Sequence, residues 1–134
     1  MPNALGALLS LVLLSTPMSD SGPRRSSRYE RALTYIRVRV GDPELTPDRV
    51  AANQGISRRH LDALFAKAGS TIARTILSCR LEHAAMLLSQ SPSSCPVLTI
   101  AIDSGFKSAS HFSRAFRLRY GIAPTAFRRR TRAH

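Results

Sequence analysis

The stretch Ile100-Ala101-Ile102-Asp103-Ser104-Gly105-Phe106-Lys107-Ser108-Ala109-Ser110-His111-Phe112-Ser113-Arg114-Ala115-Phe116-Arg117 decides how the chain is read. It starts as a short apolar helix, breaks at Gly105, and resumes as a helix that carries Phe112 and Phe116 on one face. Arg114 and Arg117 ride on that second helix, and Lys107 stands just ahead of it. Two short helices joined by a tight Gly-containing turn, with cations on the second, are the pattern of a helix-turn-helix, whose second helix lies in the major groove of DNA.

Upstream, the same pattern recurs. Ala51-x-x-x-Gly55-Ile56 answers Ala101-x-x-x-Gly105-Phe106 fifty residues later, and each is followed by an i,i+4 apolar pair, Leu61/Phe65 and Phe112/Phe116. The second copy is one residue longer after its Gly. Thr46 caps the first helix of the earlier copy, with Pro47 at its first position, where the missing N–H costs nothing. Val50 and Ala51 form that helix's inner face and Gly55 ends it. Ser57 caps the next helix, which points Leu61, Leu64 and Phe65 inward, offers Arg58, Arg59 and Asp62 outward, and closes at Gly69.

Between the two copies, Ser70 or Thr71 opens the longest helix, reaching about Gln90, with Ile72, Ile76, Leu77, Leu81, Ala84, Leu87 and Leu88 at core spacing. Ser91–Pro96 reads as a loop. Ahead of the first copy, Tyr29, Leu33, Ile36 and Val40 predict a helix from Arg28 that Gly41-Asp42-Pro43 stops. After the second, Pro124 starts a short helix with Phe127 and the cluster Arg128, Arg129, Arg130 and Arg132. The expected fold is all-α, a seven-helix domain with two helix-turn-helix units joined by a long linker helix. A helix of about 20 residues spans about 30 Å, close to the roughly 34 Å turn of B-DNA.

Charge points the same way. The net charge is +12, from 20 Lys+Arg against 8 Asp+Glu, and every cation lies at or beyond Arg24. From Lys107 onward there are eight basic residues and no acid. That asymmetry favours a polyanionic partner, because each neutralised phosphate releases counterions. Aromatic residues make up 6% and Trp is absent, so the core is aliphatic, with Phe65, Phe106, Phe112, Phe116 and Tyr120 as its larger members. Two cysteines do not make a disulfide framework, which fits a reduced, cytoplasmic setting. Cys79, His83, Cys95 and His111 lack the short spacing of a zinc site, so neither a metal nor a cofactor is expected. With no Ser/His/Asp arrangement, paired carboxylates or phosphate-cradling Gly loop, an enzyme is not expected either.

Residues 1–27 stand apart. Ala4–Leu14 is the most apolar run, too short to span a bilayer, which needs about 20 residues. It lacks the basic start and clean cleavage site of a signal peptide, and reads best as a helix that packs against something outside this chain. Residues 15–27, rich in Ser, Pro and Gly, have linker composition, which places a domain boundary there and the folded domain at 28–132.

The segment from about Arg28 to Arg132 resembles the DNA-binding domain of the AraC/XylS family of bacterial transcription regulators. The most specific match is Ile100-Ala101-x-x-x-Gly105-Phe106-x-x-x-x-x-Phe112-x-Arg114-x-Phe116-x-x-x-x-Gly121-x-x-Pro124-x-x-Phe127-Arg128. Gly55-Ile56-Ser57-x-x-x-Leu61-x-x-Leu64-Phe65 and Arg80-Leu81-x-x-Ala84-x-x-Leu87-Leu88 add to it. The resemblance implies a seven-helix fold and a role in activating or repressing transcription. It carries base reading to Arg59, Asp62 and Ala63 in the first unit and to Ala109, Ser110, Ser113 and Arg114 in the second. Asp62 and Ala63 stand where members often have larger polar or basic groups, which should weaken the first unit, although Asp62 can accept a hydrogen bond from cytosine. Ser57, Arg58, Lys107, Arg117 and Arg128 are assigned to the DNA backbone. Two readings stay open at Arg114, a base contact or a helix-to-helix fastener, and two at Arg128–Arg132, a backbone contact or a solvated tail.

The expectation is therefore a sequence-specific double-stranded DNA-binding regulator of transcription, with RNA polymerase as a second candidate partner and no membrane partner. It would act as a monomer through both units, or as a dimer through residues 4–14. The alternative is a helical protein-interaction module without promoter-specific regulation.

Overall fold

The computed structural model describes residues 24–132. The apolar run at 4–14 and most of the 15–27 stretch lie outside the described residues. Among the described residues, those up to Arg31 belong to one unit and those from Ala32 to another. Seven helices follow in order: α1 (Arg24–Val38), α2 (Pro47–Gln54), α3 (Arg58–Lys67), α4 (Ile72–Gln90), α5 (Val97–Asp103), α6 (Ala109–Tyr120) and α7 (Pro124–Arg132). No strand occurs among the described residues, and none of their helices is long and apolar enough to cross a membrane. The all-α, two-unit expectation is thus met. One boundary moves: α1 begins at Arg24, four residues before the apolar periodicity places it, because Arg24–Ser27 add a polar first turn that carries no core pattern.

The sequence repeat has a common physical origin in the turns. In the first unit the Gly55 N–H donates to Ala52 O at 3.2 Å and the Ile56 N–H to Ala51 O at 3.1 Å. In the second, the Gly105 N–H donates to Ile102 O and the Phe106 N–H to Ala101 O, both at 3.0 Å. These paired 5→2 and 6→1 bonds close a helix only when the residue between them is left-handed, and Gly55 (φ 69°) and Gly105 (φ 88°) supply that conformation. The apolar residue after each Gly then lies back against the helix it ends, which is why Ile56 and Phe106 occupy matching positions. The following helix is capped alike in both units: Ser57 Oγ accepts from the His60 N–H at 3.0 Å, and Ser108 Oγ from the His111 N–H at 3.1 Å. Ala-x-x-x-Gly-apolar followed by a capping Ser is therefore the whole instruction for stop, turn and restart.

α2 packs on α3, and α5 on α6, while α4 touches α3, α5, α6 and α7. Thr46 caps α2 and Thr71 caps α4, each accepting from the backbone N–H three residues on. Gly69 is left-handed one residue after the Ala68 cap of α3. The inward residues expected for the first unit, Val50, Ala51, Leu61, Leu64 and Phe65, are all buried. Around the second unit, Leu81, Ala84 and Leu88 of α4 join Ile100, Ala101, Phe106, Phe112 and Phe116 in one core. Leu77 and Leu87 only flank that core, and Cys79, which the period-based reading omits, is buried on α4. An aromatic row runs through the unit: Phe106–Phe112, Phe112–Phe116 and Phe116–Tyr120 have ring centroids 5.1, 5.5 and 4.6 Å apart, and Phe127 of α7 meets Phe116 edge-on at 5.2 Å. The phenylalanines are accordingly core, and they hold α6 by one face with the other left open.

Candidate nucleic-acid interface

The open face of α6 follows from that packing. Phe112 and Phe116 are fully buried, which turns Ser110, Arg114 and Arg117 outward and leaves Ala109 and Ser113 half-buried at the edge of the face. Lys107, just before the cap, reaches Glu44 Oε2 at 3.5 Å across an exposed pair. Arg119 instead turns back to Glu82 Oε2 at 3.1 Å and lies over the Tyr120 ring, 5.3 Å from its centroid. Arg114 and Arg117 thus form the exposed cationic edge along the middle and last turn of α6, whose capped amino end has free backbone N–H groups that favour anions.

α3 presents a different surface. Arg59, Asp62 and Ala63 are exposed on the side opposite Leu61, Leu64 and Phe65. Arg58, however, is held by two carboxylates: its Nε donates to Asp62 Oδ1 at 3.1 Å and its Nη1 to Asp48 Oδ1 at 3.2 Å. The hydrogen bonds to Asp62, and then to Asp48, raise the Arg58 pKa above its ordinary value. The Asp62 carboxylate is correspondingly engaged within its own helix. Ser57 spends its Oγ acceptor on the helix cap. Arg59, beside it, takes no part in this pairing.

Arg128, assigned to the DNA backbone from the sequence, lies apart from the exposed cations. Only 7% exposed, it is folded into the molecule: Nη1 donates to Cys95 O at 2.8 Å, to Pro92 O at 3.3 Å and, at 3.5 Å, to Ser91 Oγ. Arg132 joins it, donating to Ser91 O at 2.7 Å. Both bind the loop between α4 and α5, whose carbonyl oxygens have lone pairs to spare for the several N–H donors of a guanidinium. Arg128 is thus a clamp on that loop rather than part of the exposed cationic edge, and Arg129 and Arg130 remain the exposed members of the cluster. Nothing in the spacing of Arg128–Arg132 distinguishes the clamp from its neighbours; the distinction comes from the loop 33 residues away in sequence.

Sequence reasoning also passes over three partners. Asp48 and Glu44, which neutralise Arg58 and Lys107, lie 10 and 63 residues from the cations they meet. Arg80, part-buried on α4, donates from Nη2 to Asp42 O at 3.0 Å and Leu45 O at 3.3 Å. Burial pushes its guanidinium pKa below the ordinary value, with the nearby Asp42 charge opposing. Among the described residues no three His, Cys, Asp or Glu side chains gather as metal ligands. Cys79 is buried and burial raises its thiol pKa.

Comparison with known proteins fits this geometry. A family model described as "Helix-turn-helix domain" matches residues 50–130, from α2 into α7. The HTH-type transcriptional regulator GlxA of Rhizobium meliloti (strain 1021) is 45% identical over 121 residues, covering 83% of this chain and 37% of its own length. The chain thus spans a little over a third of that curated relative. Among solved structures, an AraC-type transcriptional regulator from Chromobacterium violaceum superimposes with a TM-score of 0.73 at 29% identity, over 79% of this chain and 93% of that one. The DNA-binding domain of AdpA, solved in complex with a target DNA, shares the fold with a TM-score of 0.70 at 24% identity, over 78% and 93% of the two chains. The duplicated turn, the linker helix and these matches together place the chain in the AraC/XylS family of helix-turn-helix transcription regulators.

Proposed function

We propose that this chain binds double-stranded DNA in a sequence-specific way and regulates transcription, with α3 and α6 entering successive major grooves. The observation that carries the reading is the exposed Arg114–Arg117 edge of α6, presented by a turn and cap that α3 repeats. The AdpA domain's structure with a target DNA supports the same use of the fold. α4, 19 residues and so about 28 Å long, suits a separation of one DNA turn.

In this reading Arg114 is the principal base reader, because a guanidinium can grip guanine in two places. Ala109, Ser110 and Ser113 line the same face and tune the preference by small apolar and hydroxyl contacts. Arg59, Asp62 and Ala63 read the second groove more weakly, since Asp62 is engaged with Arg58. Lys107, Arg117, Arg58 and Ser57 contact the backbone. A single chain then fills both half-sites in the cytoplasm without a cofactor, and RNA polymerase is the proposed partner through which occupancy changes transcription.

Fluorescence anisotropy over a salt series tests the proposal. Three backbone cations, at about 0.9 each, predict that log Kd changes with log salt by a slope of roughly 2.7 in magnitude, with clear preference among duplexes. A flat salt dependence, or equal affinity for every duplex, removes specific DNA binding.

A further inference from the structure

Two helix-turn-helix units on one chain bind as one only if their recognition helices hold a fixed separation and rotation, so that the second contact forms within an already docked complex. α4 is rigid along its length, but a loop at each end joins it to the units it separates. A second connection between the units runs through a side chain of that helix.

Asp42 O and Leu45 O, both held by Arg80 Nη2, belong to the loop that runs from α1 into α2, and Leu45 directly precedes Thr46, the α2 cap. The same arginine also meets the other unit. A Cβ on Gly105, in the turn between α5 and α6, would fall 2.7 Å from Arg80 Nε and would collide with Val40 O. A Cβ on Gly41 would fall 2.8 Å from Asp103 O, at the end of α5. The Glu44–Lys107 pair spans the same seam from loop to turn. One guanidinium on the linker helix therefore holds the entry to the first unit and backs onto the turn of the second, and two glycines let the backbones close on each other around it.

We infer that Arg80 is a positioning residue that locks the two units into one register, so that α3 and α6 meet DNA at a set spacing. The inference rests on the two-unit DNA reading above. Its mechanism is preorganisation: a seam that is already closed spares the complex the entropy of aligning two loosely tethered units.

The test uses duplexes that the wild-type chain enriches from a random pool, remade with two base pairs inserted between their two halves. Inserted pairs rotate and displace one half-site, so the wild-type chain should lose about tenfold or more in affinity. Arg80→Met abolishes the two carbonyl bonds, and Arg80→Lys keeps the charge but ends one bond short of Nη2, the single nitrogen that meets both carbonyls. In either variant the insertion penalty should fall to about threefold or less, while a duplex carrying only the α6 half-site is bound as by wild type. An unchanged insertion penalty in a folded variant overturns the inference, even where affinity or Tm falls, because a merely structural role weakens both duplexes alike. If Arg80→Met does not fold, Arg80→Lys decides by the same criterion. A wild-type chain that enriches no two-part motif overturns the DNA reading, and the inference with it.

Discussion

Arg58 Nε lies 3.1 Å from Asp62 Oδ1, one turn further along the same helix, so α3 neutralises its own leading cation on the face it offers outward. α6 has no counterpart: Arg114 and Arg117 stand on a segment with no acid after Asp103. The two units share a turn and a cap but differ in charge, and the account assigns most of the affinity to the second.

That asymmetry is adjustable at one position. Asp62→Asn removes a carboxylate from a surface facing phosphate and frees Arg58 from its nearer partner. Affinity should rise severalfold for duplexes in general, and the salt slope should steepen by less than about 0.9, as the Arg58 contact with phosphate no longer competes with the Asp62 carboxylate. An anisotropy titration at several salt concentrations reads both. Weaker binding confined to duplexes that carry cytosine at one place would report the weak base contact of Asp62 itself.

Arg114 and Arg117 should separate by kind of effect. Arg114→Ala is expected to cost about 1–3 kcal/mol on preferred duplexes and to relax the preference at one base pair. Arg117→Ala should weaken all duplexes alike and lower the salt slope by about 0.9. Titration against a set of single-base duplex variants distinguishes them, and identical behaviour contradicts the division into reader and anchor.

The two turn glycines share a conformation but not their surroundings. A Cβ at Gly55 meets nothing within 4 Å, so Gly55→Ala bears only the left-handed backbone cost of about 1–2 kcal/mol. At Gly105 the same methyl meets Val40 O and Arg80 Nε, so Gly105→Ala should be clearly more destabilising. Urea denaturation of the two variants makes the comparison, and equal losses would contradict the close seam at Gly105.

Arg128→Ala should act on stability first. Removing the charged donor to Cys95 O and Pro92 O is expected to cost about 2–3 kcal/mol and lower the Tm by roughly 10 °C, whereas Arg129→Ala should leave the Tm nearly unchanged. Thermal melts followed by circular dichroism check this.

How much of this was legible in the residues follows from the range of each interaction. Thr46, Ser57, Thr71, Gly55 and Gly105 act within five residues of themselves, so caps, turns and the order of helices could be read from the chain alone. The buried faces of α3 and α6 were readable from their spacing for the same reason, whereas on α4 the spacing passed over Cys79 and drew in Leu77 and Leu87, which only flank the core. The start of α1 at Arg24 was not, because its first turn is polar and carries no periodic signal. At the candidate interface, the exposure of Arg59, Ser110 and Arg114 follows directly from which neighbours are apolar. The roles of Arg80 and Arg128 do not, since their partners are backbone carbonyls 33 to 38 residues away, and a carbonyl leaves no mark in a sequence. The Arg58–Asp62 pair has legible i,i+4 spacing, whereas Asp48, which completes the pairing, sits on another helix.

Selection of bound duplexes from a random pool tests the central claim most directly. The account predicts an enriched motif in two short blocks, centred about 10 base pairs apart, with the block read by α6 the more sharply defined. A pool that stays random after selection, or one that converges on a single block with no preferred second position, would contradict binding through two recognition helices.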